Sequence, residues 1–314
     1  MWRLSGWSLS PLLFSIFVND MHEVTGDSGL LLQYADDAKF LVSDKSPLDI
    51  RKKMCDILEK LDSWCSKWKL SLNLKKCKMI YFSLNNNFSS PDPIVFKDTL
   101  IENCLEIKDL GIILDSKLTF ASHISYINLK LRRLLGVFFR SIHFLRDTCA
   151  IKSIYFAYVQ SILDYGLPVW GIAAPSLLEP ISATHRKFLK FLLKIPLYDH
   201  SHDYNNLSNL SKIPTIYSRF LYLSLSLLHD QVNFNSLDDC LRIFRNTPRY
   251  PTRNPLLFTI PFGRLEISTR SLSIILPKVL NNIPNADPFS QGKDTFLKII
   301  QPFLNMYKSY KDVK

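Results

Sequence analysis

Glycine is scarce in these 314 residues, nine in all, and none belongs to a Gly-x-Gly-x-x-Gly or Gly-x-x-x-x-Gly-Lys element. Rossmann-type dinucleotide binding and P-loop chemistry are therefore disfavoured. Cysteine is also sparse: Cys55, Cys65, Cys77, Cys104, Cys149 and Cys240 are dispersed, with no Cys-x-x-Cys pair. That argues against a zinc site and a secreted disulfide scaffold, and fits a reducing compartment. No apolar run approaches the ~20 residues of a membrane-spanning helix, so no membrane partner is expected. Met1-Trp2-Arg3 ahead of the apolar stretch Leu9 to Val18 imitates a secretion signal, but no small-residue cleavage site follows, and the expectation is an intracellular protein. Acid is missing from one long segment: no Asp or Glu occurs from Ser116 through Arg146.

What is present is ample core material, 47% apolar, and a net charge of +11. The charge is concentrated. Eleven Lys or Arg lie between Ser116 and Ile195 against Asp147, Asp164 and Glu179. Phe120 to Leu145 carries Ile124, Ile127, Leu131, Leu134, Leu135, Phe138 and Phe139 at helical core spacing, which leaves Lys130, Arg132, Arg133 and Arg140 for another face. A basic helical face suits a nucleic-acid backbone, although charge runs also occur simply as solvated surface.

The chemistry-bearing stretch is Leu30-Leu31-Leu32-Gln33-Tyr34-Ala35-Asp36-Asp37-Ala38-Lys39-Phe40-Leu41-Val42. Two short apolar runs flank Tyr-Ala-Asp-Asp, which places two carboxylates at the tip of a predicted β-hairpin. Strict alternation puts Leu30, Leu32, Tyr34 and Asp36 on one face and Leu31, Gln33, Ala35 and Asp37 on the other. Adjacent carboxylates between apolar strands need a cation, a partner or water. The alternative is an ordinary acidic turn.

The flanks read clearly. Ser10 is a candidate cap and Pro11 a first-turn proline for a helix beginning at Leu9-Ser10-Pro11-Leu12-Leu13-Phe14. Asp49 to Lys69 has Ile50, Met54, Ile57, Leu58, Leu61, Trp64, Cys65 and Trp68 at helical spacing. Leu72 to Ser83 reads as a turn into a strand, and Ile107 to Asp115 as a further strand. Asp199-His200-Ser201-His202-Asp203 reads as a polar loop more readily than a metal site. Thr215 to Leu228 is a predicted helix, while Ser271 to Leu280 and Phe296 to Met306 are interrupted by Pro277 and Pro302. Asn246 to Pro255 reads as an extended connector, and Lys308 to Lys314 as a frayed tail.

The order Leu-Ser-Pro-Leu-Leu-Phe (9–14), Tyr-Ala-Asp-Asp (34–37), Trp-Cys-Ser-Lys-Trp (64–68), Leu-Asn-x-x-Lys-Cys-Lys (72–78) and Lys-Asp-Leu-Gly-Ile-x-Leu-Asp-Ser-Lys-Leu-Thr-Phe-x-x-His-Ile (108–124) resembles the reverse transcriptases of non-LTR retrotransposons of the jockey-like kind. The resemblance runs from Gly6 to His123 and more loosely to Pro284. It implies a mixed α+β architecture: a partial right-hand polymerase palm of antiparallel strands and helices over residues 1–115, a basic helical thumb-like region over 116–195, and a helical extension over 196–314. The implied function is RNA-directed DNA synthesis, with an RNA template, a DNA primer and deoxynucleotides as partners and Mg2+, or Mn2+, as cofactor. Two such ions about 3.5–4 Å apart require carboxylates from at least two strands.

Carried over by residue, the resemblance makes Asp36 and Asp37 metal ligands. Lys76 becomes the cation near the leaving pyrophosphate, though it also reads as one of the solvated run Lys75, Lys76, Lys78. Leu110 and Gly111 match the primer-grip turn. Tyr34, Lys108, Lys130, Arg132, Arg133 and Arg140 would face nucleic acid, and Gly6, Ser10 and Pro11 would lie near template and nucleotide. Two departures accompany these matches. No acid precedes the Leu-Ser-Pro motif, where the family carries its other catalytic aspartate, and only Gly6 survives of the preceding Pro-Gln-Gly-Ser. Met1 to Trp7 therefore reads as a spliced or mispredicted start. The expectation is a carboxy-terminal piece inactive by itself, or, alternatively, a non-catalytic nucleic-acid-binding remnant.

Overall fold

The computed structural model describes residues 9–85, 92–142, 144–145, 147–234, 257–263 and 266–307. Gly6, the start Met1 to Trp7, Cys240, the connector Asn246 to Pro255 and the tail Lys308 to Lys314 lie outside the described residues. The chain divides into two compact units, residues 1–107 and 108–314, each mixing or juxtaposing helix and short strands.

The first unit begins with helix α1 (Ser10–Phe17). Ser10 is its first helical residue and Leu9 the cap, so Ser10 does not cap as the sequence suggests; Pro11 sits in the first turn as expected. Two 3-10 turns, Asn19–Val24 and Gly26–Ser28, lead into β1 (Leu30–Tyr34) and β2 (Asp37–Leu41). Helix α2 (Pro47–Lys67) then buries Ile57, Leu61, Trp64 and Cys65 against Val18, Met21 and Val24. Asp20 locks this small core. Its two carboxylate oxygens accept the indole N–H groups of Trp64 (2.9 Å) and Trp68 (3.1 Å), with Lys67 at 3.7 Å. Partial desolvation raises its pKa, but these donors outweigh it and the net shift is downward.

The strand expected over Leu72 to Ser83 shrinks to a 3-10 turn at Leu74–Lys76 and β3 (Lys78–Met79), whose ladder partner among the described residues is the equally short β6 (Glu102–Asn103). That pairing is parallel, beside the antiparallel strands that the resemblance implies. β4 (Val95–Phe96) and β5 (Thr99–Leu100) form a hairpin around Lys97 and Asp98, both in left-handed conformation. Among the described residues every sheet has two strands.

In the second unit, β7 (Glu106–Asp109) and β8 (Ile112–Asp115) pair ahead of helix α3 (Ala121–Val137). The Asp115 carboxylate organises the intervening loop by accepting from the backbone N–H groups of Lys117, Thr119 and Phe120 and from the Thr119 hydroxyl. A π-helical turn, Phe138–Ile142, extends α3. Its wider pitch buries Phe138 but leaves Phe139 exposed, so Phe139 is not the core residue its spacing suggests. Helices α4 (Thr148–Ile154) and α5 (Ser161–Asp164) are joined by a second π-helical stretch, Tyr155–Gln160. After α6 (Leu167–Trp170) comes α7 (Pro175–Leu192), which packs along α3. α8 (Tyr204–Ser211) and α9 (Ile216–Phe234) follow, then α10 (Glu266–Thr269), α11 (Leu272–Asn282) and α12 (Lys293–Leu304). Pro277 and Pro302 lie inside α11 and α12 without ending them. A proline within a helix costs about 3 kcal/mol, and burial of Ile274, Ile275, Leu276, Val279 and Leu280 on α11 offsets that cost.

One hydrogen-bonded chain crosses this unit. The Ile216 N–H donates to the Tyr204 hydroxyl (3.0 Å), which donates to His185 Nδ1 (2.7 Å). His185 Nε2–H donates to the Tyr155 hydroxyl (2.5 Å), Tyr155 to Gln160 Oε1 (3.0 Å), and Gln160 Nε2 to Asp164 (2.7 Å). Arg219 closes the chain with two bonds to Asp164, 2.9 and 2.7 Å. Every donor points the same way, so His185 fits only as the neutral Nε2–H tautomer. Burial, with help from Arg186, pulls its pKa from 6.5 to about 3.

Because unfolded His185 would titrate near 6.5 and the folded residue near 3, the unfolded state binds the extra proton between those values. Stability present above pH 6.5 is therefore lost as pH falls toward 3, with a slope approaching about 1.4 kcal/mol per pH unit from this group. Denaturant melts of wild type and His185→Gln across that window should show the slope flattened in the variant, whatever its absolute stability. Equal slopes would exclude the assigned tautomer.

Candidate functional site

The hairpin β1/β2 pairs antiparallel in the register Leu30↔Leu41, Leu32↔Lys39 and Tyr34↔Asp37. Only Ala35 and Asp36 form the turn, with Ala35 in left-handed conformation at φ 52°. A two-residue turn reverses the chain and breaks simple alternation. It is Asp37, not Asp36, that stands beside Tyr34, and Asp36 occupies the tip. Leu31 and Phe40 face the core of this unit, while Leu30, Leu32, Tyr34 and Leu41 are exposed. Helix α1 buries none of its residues, and Leu12, Leu13 and Ile16 stand in solvent. Ser10 and Pro11 lie at its start.

Asp36 and Asp37 are exposed, and among the described residues neither side chain has an ion-pair or hydrogen-bond partner. Lys76, at the end of its 3-10 turn, is likewise exposed and without an acidic partner among them. Magnesium keeps several waters and takes one or two carboxylates together with substrate phosphates, so a solvated pair is chemically suited to one ion. A two-metal centre is another matter. No group of three or more His, Cys, Asp or Glu side chains able to hold a metal occurs among the described residues, and the donor set present does not fit it. Asp20 does not fill the gap, since both its oxygens are taken by tryptophans.

The second unit holds the other matched residues. Leu110 and Gly111 form the two-residue turn of β7/β8, both with positive φ (42° and 87°), the pattern of a type I′ hairpin. Tyr165 braces this turn: its hydroxyl donates to the Leu110 carbonyl and its ring fills the space where Gly111 lacks a side chain, 3.2 Å from a Cβ placed there. Trp170 Nε1 holds the Tyr165 carbonyl at 2.9 Å. Lys108 lies on β7; Lys130, Arg132 and Arg133 lie on the exposed side of α3. Arg140, in the π-helical turn, donates from Nε to the Gly136 carbonyl at 3.2 Å.

Two residues that position this hairpin escaped the sequence reading. His123, buried, accepts the Ile113 N–H at Nδ1 (3.3 Å) and so ties β8 to α3; burial, then Lys130, lowers its pKa. Tyr165 sits in Leu-Asp-Tyr-Gly, where a turn before a helix was legible but its target was not. Asp199 and Asp203, in the loop read as polar, accept from Ser201 and cap α8 through the Asn206 N–H. No described helix is long and apolar enough to cross a membrane.

Residues 5–114 match the family model of reverse transcriptase (RNA-dependent DNA polymerase). The chain is 32% identical over 207 residues, 63% of its length, to the RNA-directed DNA polymerase from mobile element jockey of Drosophila melanogaster. It is 30% identical over 206 residues, 62% of its length, to the probable RNA-directed DNA polymerase from transposon BS of the same species. In each case the match covers 22% of the relative, so the chain spans about a fifth of the length of these proteins. No solved structure matches.

Gly111→Ala should destabilise the second unit by about 1–2 kcal/mol, because alanine is strained at that φ and its methyl meets the Tyr165 ring. Tyr165→Phe removes one hydrogen bond to a carbonyl and should cost about 1 kcal/mol. A denaturation series that found the glycine variant neutral would contradict the bracing of this turn.

Proposed function

This chain is a relative of the reverse transcriptases of jockey-like non-LTR retrotransposons, and on that premise we propose that it carries the carboxylate hairpin and nucleic-acid-facing turn of an RNA-directed DNA polymerase. The observation that carries this reading is the Tyr-Ala-Asp-Asp turn, which holds two carboxylates, without ion-pair or hydrogen-bond partners among the described residues, on an antiparallel hairpin inside the matched region. In nucleotidyl transfer a primer 3′-hydroxyl attacks the α-phosphate and pyrophosphate leaves. Magnesium, when bound, would supply charge stabilisation to the attacking and leaving oxygens.

On this reading each of the chain's own groups has a role. Asp36, at the tip, and Asp37, beside Tyr34, are the hairpin's contribution to the cation site. Lys76 is an exposed ammonium free to offset charge on the leaving group. The Leu110–Gly111 turn, stiffened by Tyr165, supports the primer, and Lys130, Arg132, Arg133 and Arg140 approach the backbone of an RNA–DNA duplex. Ser10 and Pro11 lie at the nucleotide side. The described donors do not fit a two-metal centre, and the 314-residue polypeptide alone is proposed to be inactive until a further carboxylate joins Asp36 and Asp37.

Fragment complementation tests this. The 314-residue chain should show no primer extension with magnesium alone. It should gain extension when mixed with a fragment of a jockey-like polymerase that bears an upstream acidic strand, and lose it by at least about 10²-fold with Asp36→Asn. Salt-dependent duplex binding without any complementation would instead favour the remnant reading, in which only the basic helix still has a ligand.

A further inference from the structure

The second unit gathers two lysines from different elements around one aromatic ring. The Lys108 ammonium, from β7, lies 5.8 Å from the centre of the Tyr126 ring, and that of Lys130, from α3, lies 4.5 Å from it. Neither lysine has a carboxylate partner among the described residues, and both are exposed. Tyr126 itself is half-buried, packs on the main core, and lies 6.4 Å from the His123 ring, which is tied to β8. The platform is thus fixed while the cations it collects face water. Each ammonium group is attracted to the negative face of the same aromatic ring, which draws side chains from two elements to one place.

We propose that Tyr126 is a positioning residue that gathers Lys108 and Lys130 into a paired phosphate-binding site next to the Leu110–Gly111 turn, and that its ligand is the phosphodiester backbone of a nucleic acid. The acid-free stretch from Ser116 through Arg146 leaves no competing carboxylate on α3. Arg133 follows Lys130 at the i+3 helical position, where side chains are neighbours, and it too lacks an acidic partner among the described residues. A row of unpaired cations matches a ligand whose charge repeats at regular intervals, which a backbone provides and an isolated acidic side chain does not. This inference deepens the proposed function by naming how the duplex is gripped in this unit, and it rests on that reading.

Binding of a primer–template duplex oligonucleotide to the full 314-residue chain, followed by anisotropy over a series of salt concentrations, tests it. Lys108→Gln and Lys130→Gln should each reduce the slope of log affinity against log salt by about 0.9. Tyr126→Leu, which keeps every charge, should weaken binding about two- to fivefold at fixed salt and also lower the slope; Tyr126→Phe, which keeps the ring, should stay within about twofold. Because the lysines act on a shared site, the double glutamine variant should lose less affinity than the product of the single losses. A wild-type slope in Tyr126→Leu alongside reduced slopes in the lysine variants would overturn the positioning role while leaving nucleic-acid binding intact. Should the leucine variant misfold, multiplicative losses in the lysine cycle overturn it equally. Absence of salt-dependent binding by the wild type would remove the broader reading as well.

Discussion

The helical unit depends on one constraint, a hydrogen-bond chain that can run in only one direction. It starts at the backbone of α9, passes through Tyr204, His185, Tyr155 and Gln160, and ends on the carboxylate that Arg219 holds. Each member is donor to the next, and His185, which burial keeps neutral, donates from Nε2 and accepts at Nδ1. The π-helical stretch Tyr155–Gln160 is part of the same solution: widening the turn brings residues five apart onto one face, which lets Tyr155 reach Gln160 within a single helix. Satisfied throughout, such a network stiffens a core; broken at any point, it leaves buried groups without partners.

The consequence reaches the candidate site of the same unit. Asp164 immediately precedes Tyr165, and Tyr165 presses its ring and hydroxyl onto the Leu110–Gly111 turn. Fixing α5 against α9 therefore fixes the brace. From the other side His123 and Asp115 hold β8 and the start of α3, which sets where Tyr126 and its lysines stand.

The first unit is built differently. Its core is small, and its organising contact is a surface carboxylate, Asp20, shared between two tryptophans of one helix. The outer face of β1/β2 and α1 carry apolar side chains in water, and among the described residues the acidic turn has no cation partner. Carboxylates at such a turn are balanced by water rather than by a neighbouring side chain. That separates it from the second unit, where the buried chain from Ile216 to Arg219 satisfies its own members and the cations around Tyr126 have no acidic partner among the described residues.

How much of this was legible in the chain can be argued from particular residues. Helix α2, the register-defining runs around Tyr34 to Asp37, the α3 core positions Ile124, Ile127, Leu131 and Leu135, and the likeness to reverse transcriptases were readable, because periodicity and motif order are local properties. Proline was misread at Pro277 and Pro302, since burial of the flanking apolar residues outweighs a local penalty. Phe139 was misread because a π turn shifts the helical phase, and Asp36 because a two-residue turn decides which carboxylate keeps the strand's alternation. The partners of Asp20, His185 and Tyr165 lie 19 to 55 residues away, and no local pattern encodes a contact of that span. The sequence by itself determined which chemistry is present: paired acids, a basic helix, a glycine turn. Only tertiary structure decided which of those groups are already satisfied and which are left for a ligand, because satisfaction depends on distance in space and not on spacing along the chain.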